Sequence, residues 1–152
     1  MKISFKGDYA LKTIQELSNK YLEDPGQVEK TSDIAERLNI PLKFLGQILL
    51  TLKGAGYVHS RRGPDGGVSL AKAPREITVG EIVRLIDGTT SPITCVSCSN
   101  YTKCEDEANC IFRELWLQIR DSINAVVDKV TFDDICRRSK AKSGEKVLNF
   151  SI

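Results

Sequence analysis

The stretch Thr31-Ser32-Asp33-Ile34-Ala35-Glu36-Arg37-Leu38-Asn39-Ile40-Pro41-Leu42-Lys43-Phe44-Leu45-Gly46-Gln47-Ile48-Leu49-Leu50-Thr51-Leu52-Lys53 decides the fold. Its first part reads as a short helix. A capping hydroxyl near Thr31-Ser32 stands ahead of Asp33, whose charge suits the first turn. The helix stops at Asn39-Ile40. Pro41 suits the first turn of the next helix, because its missing N–H would be unpaired there anyway. In that helix Leu45, Ile48, Leu49 and Leu52 recur at i, i+3, i+4 and i+7, an apolar stripe that ends before Gly54-Ala55-Gly56. Two short helices around a tight turn make a helix-turn-helix.

Working outward, Tyr57-Val58-His59-Ser60-Arg61-Arg62 and Val68-Ser69-Leu70 are strand-like, and Gly63-Pro64-Asp65-Gly66-Gly67 between them carries hairpin-turn chemistry. A basic hairpin after a helix-turn-helix is the winged-helix pattern. Upstream, Ala10, Ile14, Leu17 and Tyr21 predict a helix over 8–22, ended by Asp24-Pro25-Gly26. Downstream, Thr78-Val79-Gly80-Glu81 is a capping box opening a helix over 82–87 that Gly88 terminates. Residues 89–110 are polar and without period.

The longest helix is expected over about 111–129. Phe112, Leu115, Trp116, Ile119, Ile123, Val126, Val127 and Val130 form an apolar stripe too broad for a small domain to bury alone, so it reads as a dimer interface rather than a helix folded back on its own domain. Thr131-Phe132-Asp133-Asp134 looks like a new cap opening a short helix to Cys136. From Arg137 a basic, mobile tail is expected, with Val147-Leu148-Asn149-Phe150 able to dock. The fold class is thus mainly α with a small β-hairpin wing. Residues 1–88 form a winged helix-turn-helix domain, 89–110 a cysteine-bearing loop, 111–136 a dimerisation helix region and 137–152 a tail.

Charge points the same way as topology. Residues 41–75 carry six Lys/Arg against one acid, while residues 76–110 carry two against six. A basic segment followed by an acidic one suggests that the first faces a polyanion. On the 41–53 helix the outward positions are Lys43, Gly46, Gln47, Leu50 and Lys53. Pro41, Lys43, Phe44 and Gln47 are the candidates for meeting base edges, since a recognition helix reads mostly through its N-terminal part. Gln can pair with adenine, Lys can reach guanine or phosphate, and Gly46 opens space rather than making a contact. Arg61 and Arg62 on the wing can enter a minor groove or clamp phosphate. The expected partner is a double-stranded DNA operator.

The chain of 152 residues is 41% hydrophobic, enough for a core, and has no apolar run of membrane-spanning length. Its N-terminus lacks a stretch of signal-peptide character, which predicts a cytoplasmic location. No nucleophile–base pair, phosphate loop or paired carboxylates appear, so it does not read as an enzyme. Four of its five cysteines, Cys95, Cys98, Cys104 and Cys110, crowd into sixteen residues. Clustered cysteines in a reducing compartment suggest metal or redox chemistry rather than disulfides. Soft thiolates on a flexible loop suit an iron–sulfur cluster. Cys95-x2-Cys98 is an acceptable zinc half-site, but Cys104-x5-Cys110 is wider than zinc usually takes. A bare thiol switch is a further alternative. Cys136, near an apolar patch, reads as a small buried hydrophobe.

Four segments carry a resemblance. Lys6-Gly7-Asp8-Tyr9-Ala10-Leu11, Ile34 through Ile40, Phe44-Leu45-Gly46-Gln47-Ile48-Leu49 and Arg62-Gly63-Pro64-Asp65-Gly66-Gly67-Val68-Ser69-Leu70 resemble the Rrf family of bacterial winged-helix regulators, over Met1 to about residue 135. The resemblance implies a homodimer with crossed long helices on a partly palindromic operator. It also implies a cluster, usually [2Fe-2S], on Cys98, Cys104 and Cys110, although the spacing of Cys95, Cys104 and Cys110 also occurs in relatives. The fourth ligand is then Asp8 of the partner subunit, as in NsrR-like members, or Cys95. The histidine that serves in IscR-like members is replaced here by Arg113. CymR-like members imply an alternative, a cluster-free regulator of cysteine metabolism acting through thiols, zinc or a partner protein. IscR-like members carry an acidic residue where this chain has Gly46, so their operator preference does not transfer.

Overall fold

The computed structural model describes the backbone of residues 1–149 and side chains through Gly144. Helix α1 (Phe5–Glu23) starts three residues earlier than its apolar period suggests, because Ser4 caps it by accepting from the Gly7 amide at 2.9 Å. Ala10, Ile14 and Leu17 fall on one side and are fully buried, which makes α1 the central pillar on which the other helices lean. Ser4 also reaches forward, donating its amide N–H and its hydroxyl to Asp87 at the end of α4 (Val79–Asp87).

Helices α2 (Thr31–Leu38) and α3 (Leu42–Gly54) form the expected helix-turn-helix, and Asn39 turns the chain between them in the left-handed conformation, φ 52°. Two details differ from the sequence reading. The N-cap of α2 is Lys30, with no side-chain cap, so Thr31 is already helical; Pro41 is the cap residue of α3 rather than its first turn. Strands β1 (Val58–Arg61) and β2 (Gly67–Leu70) pair antiparallel, Val58 with Leu70 and Arg61 with Gly67. The tip demands glycine at two places. Gly63 has φ +107°, and a Cβ at position 66 would stand 2.2 Å from the Arg61 carbonyl oxygen. The wing is fastened inward by a bridge in which the Glu29 and Val68 amides each donate to the other's carbonyl at 2.8 Å. Arg37 donates from α2 to Glu29 and Glu16, which hold its guanidinium pKa above the usual value, with Glu29 the larger cause.

Thr78 and Glu81 make the anticipated capping box of α4, and Gly88 ends it with φ +83°. The 89–110 segment is irregular apart from a single turn at Thr94–Val96. Helix α5 (Arg113–Val127) contains no buried residue, so it does not fold back into the core. Thr131 and Asp134 cap α6 (Phe132–Asn149) reciprocally, as the sequence suggests. That helix does not stop at Cys136, however, and continues through the segment read as a tail. Its first turns pack on α1, with Phe132 and Cys136 buried and the Cys136 thiol 3.8 Å from the Gln15 carbonyl oxygen. Burial pushes that thiol's pKa up, as befits a small hydrophobe. The docking expected of Val147 to Phe150 falls outside the side chains described. Among the described residues no helix is long and apolar enough to cross a membrane.

Phe132 is among the largest fully buried side chains and locks α6 onto the α1 pillar. Phe132→Ala should cost about 3–5 kcal/mol and lower Tm by roughly 10 °C. Thermal unfolding checks this, and a loss below about 1 kcal/mol would show that α6 is not part of the cooperative core.

Candidate functional site

Helix α3 is held against the core by Leu45, Ile48 and Leu52, each fully buried, and by Leu49. This fixes its rotation. Pro41, Lys43, Gly46, Gln47 and Lys53 are thereby left exposed, together with Arg61 and Arg62 on β1 and the wing tip. Phe44 differs from the other candidates. It is half-buried, edge-to-face with Tyr9 at 5.7 Å between ring centroids, and therefore turned toward α1. Lys53 donates to the Ser60 hydroxyl at 2.6 Å, tying the last turn of α3 to the wing so that helix and hairpin present one surface. That link joins two exposed polar residues and left no signal in the sequence.

The cysteine segment has a fixed root and an open tip. The Ser99 hydroxyl donates to the Gly88 carbonyl at 2.8 Å, and the Ser97 hydroxyl lies 2.9 Å from Thr89 Oγ1 while accepting from the Asn100 amide. Thr90, Ser91, Cys95, Val96 and Ser97 are buried. Two α5 side chains clamp this root. Arg120 donates to the Val96 carbonyl at 3.0 Å, and the Thr90 hydroxyl donates to Asn124 Oδ1 at 2.6 Å. Beyond the root, Cys98 and Cys104 are exposed and Cys110 is half-buried. The Tyr101 hydroxyl donates to Glu107, which raises the tyrosine pKa, and Glu107 pairs with Arg113 at 2.7 Å. Arg120 and Asn124 were not legible as functional residues, although their i, i+4 spacing puts both on one face of α5.

The four cysteines are thus unequal. Cys95 sits in the buried single turn, whereas the other three lie on the accessible part of the loop. Thiols with these exposures, on irregular backbone, are a donor set that fits a soft metal centre. Among the described residues no three His, Cys, Asp or Glu side chains are gathered at metal-binding distance. Asp8 lies on the first turn of α1, half-exposed, with its carboxylate 2.7 Å from Lys12.

The family model of Rrf2, described as an iron-dependent transcriptional regulator, matches residues 3–138. The chain is 40% identical over 136 residues to a putative HTH-type transcriptional regulator, rrf2-like, of Rhodobacter capsulatus, covering 88% of this chain and 91% of that protein. Its fold superposes on CymR, the global cysteine regulator of B. subtilis, with a TM-score of 0.76 at 36% identity, covering 91% of this chain and 98% of that one. It also superposes on T. potens IscR, with a TM-score of 0.70 at 29% identity over 91% of this chain and 88% of that one. These relatives are regulators rather than enzymes. Fold and similarity over nearly the whole chain agree: the protein is a DNA-binding transcriptional regulator that belongs to the Rrf2 family.

Proposed function

We propose that the chain works as a cytoplasmic homodimer whose hold on a partly palindromic operator responds to chemistry at Cys98, Cys104 and Cys110. Lys43 and Gln47 on α3 meet base edges at the N-terminal part of the helix, and Arg62 enters the minor groove beside the wing, with Arg61 on phosphate. The dimer is held by α5. Its exposed Leu115 and Val126, with Phe112 just before it, form an apolar face that the chain does not itself cover.

The sensing proposal rests on one observation: accessible thiols stand on a loop whose root is clamped to α5 by Arg120 and Asn124. On this reading Cys98, Cys104 and Cys110 hold an iron–sulfur cluster of the [2Fe-2S] type, and the partner subunit's Asp8 is the fourth donor. Cys95 is the weaker candidate because it is already buried in the root. When bound, such a cluster supplies a one-electron redox couple and a site open to nitric oxide. The chain's own part is mechanical. Drawing three thiols together tightens the loop, the Val96 carbonyl and Thr90 carry that change to α5, and the angle between paired α5 helices sets the half-site spacing. The similarity to CymR supports a second reading, in which the same thiols act without a cluster, by oxidation, zinc or a partner protein, in the control of cysteine metabolism.

Metal content separates the two. Anaerobically purified protein should be coloured and hold iron and sulfide, Cys104→Ala or Cys110→Ala should lose the colour, and Cys95→Ala should keep it. Colourless wild-type protein, with or without zinc, favours the second reading. For the reading head, Arg62→Ala should weaken operator binding about tenfold or more, in line with ~1–3 kcal/mol per specific contact, and Arg61→Ala less; unchanged affinity at physiological salt removes the wing from the mechanism. For assembly, Leu115→Asp or Val126→Asp alters a side chain exposed in the single chain, so folding should survive while light scattering moves from dimer to monomer. A wild-type monomer at micromolar concentration rejects α5 as the interface.

A further inference from the structure

The outward face of α3 holds two features that the fold does not account for. Leu50 is 71% exposed and Leu42 56% exposed, large apolar side chains on a helix that has already buried four others. Between them stands Gly46, in a helix interior where glycine costs about 0.5–1 kcal/mol relative to alanine. Nothing in the structure requires that glycine. Its φ is not positive, and a Cβ added there would meet no heavy atom within 4 Å. An exposed helical glycine with no packing duty leaves room for something outside the chain.

The three residues are arranged as a strip. Counting about 100° per residue, Leu50 and Gly46 fall near the middle of the face opposite Ile48 and Leu52, with Leu42 at one side and Gln47 at the other. Leu42 and Leu50 are eight residues apart, about 12 Å along the axis, so the strip runs along the helix in the direction in which a groove helix meets successive bases. A hollow of about 240 Å³ beside Gly46 and Leu50 runs toward Lys53 and Ser60 of the wing. The surroundings name the occupant. α3 carries no acidic residue, Lys43 and Lys53 flank the strip, and Arg61 and Arg62 stand exposed next to it. A protein partner would meet this apolar strip ringed by exposed positive charge, whereas a duplex satisfies both.

In the major groove the apolar feature that a base edge offers is the C5-methyl of thymine. We infer that Leu42 and Leu50 are specificity-determining residues that pack on thymine methyl groups, with Gly46 providing the gap through which a methyl approaches the α3 backbone. This rests on the reading of α3 as the groove helix and adds to it the base class selected. Lys43 and Gln47 then supply the polar part of the code, and the leucines bias it toward thymine at neighbouring steps.

The test removes only the methyl groups. Duplexes selected by the wild-type protein from a randomised double-stranded library are resynthesised with uracil in place of thymine, one position at a time. Binding of both forms is measured at fixed salt. The wild type should lose about fourfold in affinity per contacted methyl, the equivalent of ~0.8 kcal/mol for one buried methyl-sized group. Leu50→Gln and Leu42→Gln, at exposed positions, should fold normally and each bind thymine and uracil duplexes equally at one of those positions. Gly46→Ala should fold at least as stably yet reduce the thymine preference. Equal wild-type affinity for thymine and uracil forms overturns the inference, as does a thymine preference that persists at every wild-type position in both leucine variants. Failure to select any duplex, or selected sites indifferent to Lys43→Ala and Gln47→Ala, overturns instead the placement of α3 in the groove.

Discussion

The proposed reading surface depends on the seating of α3. Leu45, Ile48 and Leu52 are fully buried, and each contributes of the order of 2 kcal/mol by leaving water. No other rotation of the helix buries them together. Once that face is committed, the opposite one is set without further choice, and Lys43, Gly46, Gln47 and Leu50 point outward because the core points them there. The wing inherits the same frame. Its inner edge is bridged to Glu29, and Lys53 reaches Ser60 across the outer side. A substitution that loosened α3 in its groove would therefore misplace both parts of the reading surface at once.

Much of this was legible because the signals are local and strong. An i, i+3, i+4, i+7 stripe, a threonine–glutamate capping box at Thr78 and Glu81, and a five-residue hairpin tip each have one physical solution. The misreadings have different causes. Residues 137–149 are rich in Arg, Lys and Ser, so they show no apolar period, yet basic residues are good helix formers and a helix already anchored by Phe132 and Cys136 need only propagate. Asp133 and Arg137, paired at i, i+4, help it on. The cap of α2 at Lys30 shows the opposite limit: Thr31 has the right chemistry for a cap but is overruled by the entry of the chain from the Glu29 bridge. Phe44 reads as a base-edge candidate from its place early in α3, whereas α1 supplies Tyr9 as its partner.

The cysteine loop was legible as chemistry and not as geometry. Spacing alone leaves Cys95 and Cys98 equivalent. Their difference comes from Thr89, Ser97, Ser99 and Arg120, polar residues whose hydrogen bonds bury one cysteine and leave the other at the rim. No periodicity encodes such a network, because the bonds join side chains to backbone and to one another across an irregular path. On the proposed reading the same bonds couple the loop to the rest of the chain, since an unanchored loop could bind a metal without moving anything else.

Two routes lead from that loop into the rest of the molecule, and they differ in stiffness. One runs through Gly88 and Asp87 to Ser4 and so to the pillar α1. It is tightly packed: a single Cβ at position 7 would stand 2.4 Å from the Asp87 carboxylate, and α1 beyond it sets Ala10, Ile14 and Leu17 in the core. The other runs through Arg120 and Asn124 to α5, which has no buried residue of its own. Elements with few buried contacts to their own domain move against it at low cost in free energy, so on the proposed reading a change at the thiols shifts the paired α5 helices relative to each domain before it deforms α1 or α3. On the proposed reading the regulator then alters the distance between two rigid reading heads rather than the shape of either. That division suits the chemistry at both ends: base recognition at α3 demands a fixed surface, whereas a loop that must draw distant thiols together requires a yielding one.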